Sequence, residues 1–321
     1  MKRMISLLLI SLIVSTSPSI TTQPVTEANK NREMTATAHS LGITAKNYPI
    51  IDGSTSTLNL VQAVYRAMYG DEAHEDSSYP KEASKTVPSY RRLIRGEADL
   101  ILVPYASIDL LEEAKNAGVE LEFHKIASEA LIFITSVENT AESITLDQVK
   151  EIYLNYGITN WSELGGPDRT LVPICRNSDS GSQSQMDNLV LSNEKMHPDI
   201  QNNYVELTME GMLELVAFYH GGGMSGSSTN SYALGYTLYT YLQQMNEVTG
   251  IGDHLKILSF DGVLPTAKNI ADGHYPLANG YYAVVRTDLS NDHSARSIIT
   301  WLQGEEGLRT IENLQLIPST K

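Results

Sequence analysis

The 321-residue sequence carries 38 Asp and Glu against 23 Lys and Arg, a formal charge of −15, with 41% hydrophobic and 19% charged residues. That length suits two domains with material for two cores, and the negative balance argues against a nucleic-acid surface or a patch for anionic membranes. An anionic ligand is not excluded, because a buried site is governed by local dipoles and one or two cations, while distant charge is screened within about 10 Å.

In chain order, Lys2 and Arg3 precede an apolar run from Met4 to Val14. The run is too short for a bilayer, which needs about 20 residues, and matches the core of a secretory signal peptide. Cleavage is expected either near Ser15 to Ser19 or at Ala36-Thr37-Ala38, and the polar stretch 15–45 is expected to be a flexible leader. The single cysteine, Cys175, excludes an intrachain disulfide and a cysteine zinc cluster, and its mid-chain position leaves no lipid acceptor behind the signal.

From residue 48, short apolar runs alternate with amphipathic stretches. Tyr48–Ile51 predicts a strand ended by Asp52-Gly53, and Leu58, Val61, Val64, Tyr65 and Met68 recur at helical spacing until Gly70. Residues 71–88 are polar and predict a loop, followed by a helix over Ser89–Arg95 and a buried strand over Asp99–Val103. A helix at 107–117, a strand at 119–126 and a strong strand at Ala130–Ser136 come next. Thr145, with Gln148 three residues on, opens a helix as a capping box. Val172–Cys175 predicts a strand, Ser180–Leu191 and Thr208–Tyr219 helices, Ala233–Leu238, Lys256–Phe260 and Tyr281–Arg286 strands, and Ser294–Gln303 a helix. Strands alternating with helices imply mainly parallel sheets flanked by helices, which bind ligands where strands end and helices begin.

Two such turns carry chemistry. Ser54, Thr55, Ser56 and Thr57 follow Asp52-Gly53. Free N–H groups at a helix start, with a dipole equivalent to about half a positive charge, favour an anion. A plain N-cap needs one hydroxyl, and four exceed that need. The second turn, Arg176-Asn177-Ser178-Asp179-Ser180-Gly181-Ser182, adds a forked cation and a glycine that lets a ligand approach the backbone. The alternative for Arg176 is a surface pairing with Asp179.

The segments DGSTST, RLIRGEADLILVPYAS, YGITNWSELGGPD, CRNSDSGSQSQM, ALGYTLYTY and LSFDGVLPTAKNIADGHYPLANGYYAV, in this order, resemble the PstS-like phosphate-binding subunits of ABC transporters, within the type II periplasmic binding proteins. The resemblance implies an α/β fold of two domains joined by two crossover hinge strands. After the signal and leader at 1–45, one domain would comprise 46–131 with 280–321 and the other 132–279. It implies a binding role without catalysis, cofactor or metal, a monomeric chain outside the cytoplasm, and an ABC-transporter permease as partner. Phosphate, or a related oxyanion, would be held by Ser54–Thr57 and by Arg176, Ser180, Gly181 and Ser182. The family's acid after the second strand is missing from Pro104-Tyr105-Ala106-Ser107, where Tyr105 or Ser107 would serve instead. Ser84, Thr86 or Ser89 would replace an absent glycine-rich loop.

Other functions compete less well. A sensor, adhesin or scavenger on the same fold would need no transporter. His220-Gly221-Gly222-Gly223 matches an esterase oxyanion motif, but the chain has no Gly-x-Ser-x-Gly elbow, and Ser225 stands in the wrong arrangement. The eight histidines are scattered without ligand spacing. Arg91, Arg92 and Arg95 are read as an exposed helix face rather than a second anion patch.

Overall fold

A computed structural model describes residues 33–219 and 230–319. In chain order the elements are α1 (Ala36–Ser40), β1 (Ile51–Gly53), α2 (Leu58–Tyr69), α3 (Thr86–Ile94), β2 (Leu100–Pro104), α4 (Ile108–Asn116), β3 (Leu121–Ser136), β4 (Ser143–Ile144), α5 (Leu146–Tyr153), β5 (Thr170–Pro173) and β6 (Cys175–Arg176). There follow α6 (Gly181–Leu189), α7 (Pro198–Asn203), β7 (Val205–Glu206), α8 (Met209–Ala217), β8 (Ser231–Leu238), α9 (Tyr239–Thr249), β9 (Leu255–Ile257), β10 (Ser259–Phe260), α10 (Ala267–Ala271), β11 (Ala278–Arg286), α11 (Ser294–Leu302), α12 (Glu305–Asn313) and β12 (Ile317–Pro318).

The expected α/β class holds: a central sheet in the order β1-β2-β11-β3-β8-β5 is flanked by helices. Pairing is parallel for β1 with β2, β5 with β8, β4 with β10 and β6 with β7. Apart from the isolated bridges Asn160–Thr170 and Phe260–Val263, every antiparallel pair among the described residues involves β3 or β11. These two long strands run against each other from Ala278 opposite Ala130 to Arg286 opposite Leu121. The strands expected separately at 119–126 and 130–136 are one 16-residue strand, β3. From Ile126 onward it is buried on both faces, apolar from Ala130 to Ile134 and with Ser128, Glu129, Thr135 and Ser136 as its buried polar residues.

The apolar cores divide along these strands. One buried cluster draws only on Ala130 to Leu277. Two others draw on residues up to Ala127 and from Tyr281 onward, with Met209 and Leu238 as the additions from between.

Local signals explain several boundaries. The Thr145 hydroxyl accepts the Gln148 N–H at 3.2 Å and Gln148 Oε1 accepts the Thr145 N–H at 2.9 Å, the expected capping box. Helix α3 starts three residues before the expected Ser89. Pro88 lies in its first turn, where no intrahelical N–H bond is required, and so does not delay the helix. Helices α1, α7, α9, α10 and α12 were not expected from periodicity, and α1 corrects the flexible leader expected over 15–45, since Met34, Ala38 and Ile43 are buried in the core. Tyr239 and Tyr241 open α9, which follows β8 without a loop.

Candidate functional site

Each of the two Ser/Thr turns caps a helix, and tertiary packing brings them to one cavity. Its wall consists of Ser54, Thr55 and Ser56, of Lys85 and Thr86, of Arg176, Ser180 and Gly181, and of Leu207, Thr208 and Met209, around a volume of about 100 Å³. A single water needs roughly 10–15 Å³ on this measure, so a ligand of a few heavy atoms fits. Thr55, Lys85, Leu207 and Thr208 form an exposed rim over a buried floor.

Four helix starts surround this space: the 3-10 turn Thr55–Thr57 leading into α2, then α3, α6 and α8. The first N–H groups of each helix have no intrahelical acceptor, and each dipole is worth about 0.3–1 kcal/mol to a nearby anion. Lys85 holds the left-handed conformation, φ 73°, that turns the chain into α3. Asp52 organises this turn. Its carboxylate accepts the Gly53 N–H at 2.8 Å and the Ser84 N–H at 3.2 Å, and pairs with Arg92 at 2.5 Å. The Ser89 hydroxyl donates to the Gly53 carbonyl at 2.6 Å.

Arg176 is the buried cation of the site, 6% exposed. Its Nε donates to the Glu206 carbonyl at 3.0 Å, Nη2 to the Leu207 carbonyl at 3.3 Å and Nη1 to Ser182 Oγ at 3.4 Å. The Glu206 carboxylate turns instead to the Leu207 and Thr208 N–H groups, at 2.8 and 2.9 Å. Among the described residues no carboxylate forms an ion pair with Arg176, so the expected alternative of an Asp179 pair is not realised. Burial pulls the guanidinium below the usual arginine value, with Tyr236, Glu206 and Tyr241 acting in the opposite sense. A buried charge of this kind calls for a counter-charge.

The hydroxyls divide into two sets. Ser54, Ser56 and Ser180 are on the wall. Thr57 lies behind it, accepting the Ser54 N–H at 2.9 Å and donating to the Leu102 carbonyl at 2.5 Å. Ser182 also lies behind, fully buried and 2.9 Å from Ser180. Of the three proposed replacements for the missing loop, only Thr86 reaches the cavity; its hydroxyl is buried without a hydrogen-bond partner. Gly181 permits the meeting of the two turns, since a Cβ there would stand 2.6 Å from Thr86 Oγ1 and 3.0 Å from Pro104 Cγ.

Tyr105 is not on this wall. Its ring packs against Phe123 at 4.7 Å and Tyr282 at 5.4 Å, while its carbonyl accepts from Gln185 at 3.1 Å and helps seat α6. Ser107 likewise lies elsewhere, at a larger cavity of about 530 Å³ that also touches Arg176. Asp109, Glu113, Asp179, Asp187 and Glu194 line that larger space, which makes it the poorer host for an anion. Arg91 and Arg95 pair with Glu113 and Glu97, as an exposed helix face predicts, whereas Arg92 is half-buried against Asp52. His220–Gly223 and Ser225 lie outside the described residues. Lys85, Leu207, Thr208 and Met209 were missed; only Thr208, an N-cap before an apolar run, carried a local signal.

Comparison with known proteins agrees with this architecture. The profile of the PBP superfamily domain matches residues 43–306. The phosphate-binding protein PstS of Borreliella burgdorferi is 29% identical over 202 residues, 63% of this chain and 66% of that protein. The phosphate-binding protein PstS of Bacillus subtilis is 24% identical over 212 residues, 65% of this chain and 62% of that protein. The matched stretch thus spans a little under two thirds of either relative. A Clostridium perfringens protein, described as a phosphate ABC transporter substrate-binding protein and solved with bound phosphate, superposes with a TM-score of 0.62 at 25% identity, over 84% of this chain and 98% of that one. An ABC-type phosphate transport receptor from Vibrio cholerae shares the fold, with a TM-score of 0.61 at 20% identity over 83% and 98%.

Proposed function

The chain belongs to the PBP superfamily domain family, and from that premise we propose that it is a solute-binding protein that encloses inorganic phosphate for uptake by an ABC transporter. The observation that carries this is Arg176, buried without a carboxylate partner among the described residues on the wall of a cavity at which four helix starts converge. A tetrahedral oxyanion presents acceptors in every direction. The guanidinium fork, the Ser180 and Thr86 hydroxyls and the first-turn N–H groups supply donors from three separate stretches of chain. Removing an anion from water is costly unless nearly every hydrogen bond is replaced, and this wall is built mainly of donors.

Binding here requires no chemical step. The wall offers hydroxyls, but neither a histidine nor a carboxylate to activate them. In this proposal residues 46–131 with 280–321 form one domain and 132–279 the other, and the hinge lies in β3 and β11. The protein acts as a monomer outside the cytoplasm and delivers its ligand to a permease; no helix among the described residues is long and apolar enough to cross a membrane.

Calorimetric titration with inorganic phosphate tests the assignment. Arg176→Ala is expected to weaken binding at least roughly tenfold, the loss of one charged hydrogen-bond partner, with stability little changed. A variant that binds as tightly as the parent refutes the role of Arg176. A panel of oxyanions scored by melting temperature identifies the preferred ligand, since one at about 100 times its Kd adds about 2.7 kcal/mol.

A further inference from the structure

The direction of the hydrogen bonds in the first turn follows from counting protons. The Leu102 carbonyl can only accept, so the Thr57 hydroxyl, 2.5 Å away, donates to it. Ser54 Oγ lies 3.0 Å from Thr57 Oγ1, whose proton is already committed, so Ser54 donates. Ser56 Oγ lies 3.0 Å from Ser54 Oγ and donates in turn. The Ser56 oxygen, on the cavity wall, is left with lone pairs alone.

Behind Ser56 sits a buried carboxylate that the binding proposal does not use. Glu129, 2% exposed, stands on β3 opposite Asn279 of β11. It accepts the Ala130 N–H at 2.8 Å, the Thr240 N–H at 3.0 Å and the Thr240 hydroxyl. Tyr281 stands opposite Ala127, two residues before Glu129 on β3, and so on the same face of the β3–β11 pair as Glu129. Its buried hydroxyl interacts with Ser56, Thr240 and Glu129 but forms no hydrogen bond among the described residues. Its proton therefore has competing acceptors.

Resting on the phosphate reading, we propose that Glu129 is a positioning residue for the cavity: it draws the Tyr281 proton away from Ser56 and so keeps the Ser56 oxygen open to a proton carried by the bound oxyanion. An ionised carboxylate outcompetes a serine hydroxyl as an acceptor, because a charge-assisted bond is about twice as strong as a neutral one. Burial holds the Glu129 carboxyl above its usual value, and the Thr240 hydroxyl, the Ala130 and Thr240 N–H groups and Tyr281 offset only part of that rise. The other titratable group facing it is Tyr239 of α9. A neutral side chain at position 129 releases Tyr281 to occupy Ser56.

Inorganic phosphate keeps a proton at neutral pH and sulfate does not, which makes the pair a probe. Calorimetry of the wild type, Glu129→Gln, Tyr281→Phe and the double variant is expected to show phosphate weakened roughly tenfold by Glu129→Gln alone. Sulfate affinity should move less than about twofold, and the double variant should regain the phosphate affinity of Tyr281→Phe, as expected for two residues acting in one network. Equal losses for both anions, or no recovery in the double variant, would mean that Glu129 acts only through the fold and would overturn the inference. A wild type that binds no phosphate overturns the site assignment itself, and this inference with it.

Discussion

Gly181→Ala separates the binding site from the fold with one methyl group. Gly181 is the first residue of α6, and its φ is not in the left-handed region, so alanine fits its backbone. Within the helix alanine is favoured over glycine by up to about 1 kcal/mol. The conflict arises only across the cavity. The added Cβ would stand 2.6 Å from Thr86 Oγ1, 3.0 Å from Pro104 Cγ and 3.6 Å from Thr86 Cβ, where ordinary contacts begin near 3.4 Å. Rotating Thr86 removes its hydroxyl from the cavity, and moving α6 back withdraws Gly181 and Ser180, so relief by either route damages the site. Overpacking by one methyl costs about 1–3 kcal/mol, which corresponds to phosphate binding weakened roughly 5- to 150-fold. In the proposed two-domain division, with Thr86 and Pro104 in one domain and Gly181 in the other, opening relieves the contact. The ligand-free protein should therefore unfold at the same or slightly higher denaturant concentration, while calorimetry records the loss of affinity. Unchanged affinity with unchanged stability would show that the two turns do not close on the ligand in the observed arrangement.

Thr86→Val keeps the shape and removes a buried hydroxyl that lacks a partner. Phosphate affinity should fall roughly 3- to 10-fold, by one hydrogen bond, while thermal unfolding of the ligand-free protein shifts upward. Asp187 gives a pH signature in stability. Burial, with a contribution from Asp109 and against the Gln183 hydrogen bond, raises its carboxyl from 3.8 to about 6. Between these values the native state holds a proton that the unfolded chain releases, so stability falls as pH rises from 3.8 to about 6 and stays lower above that. Asp187→Asn, read by urea unfolding, should add on the order of 2 kcal/mol at pH 7.5 and nothing near pH 3.5.

Much of the local structure was legible because its causes are local. Helix α2 follows from apolar residues at helical spacing stopped by Gly70, and α5 from the Thr145–Gln148 box. The two hydroxyl-rich turns were legible because hydroxyl runs where a strand meets a helix have few purely structural uses. Long β3 was split in two by its polar middle, Lys125 to Glu129, which looks like a break. That Ser128 and Glu129 are buried there depends on Thr240, 111 residues beyond Glu129 in the chain, and no spacing rule reaches so far. Helix α9 was obscured by tyrosines that suit a strand equally well.

The sequence by itself determined the α/β alternation, the two donor-rich turns and the presence of one arginine among them, since each of these is a property of a few consecutive residues. Only the tertiary structure decided which hydroxyls line the cavity. It put Thr57 and Ser182 behind the wall, set Tyr105 among aromatic rings, and brought Thr86 to within contact of Gly181, 95 residues away. It also left Arg176 without a carboxylate partner among the described residues, because burial and ion pairing depend on what the rest of the chain packs around a side chain, and no local pattern records that.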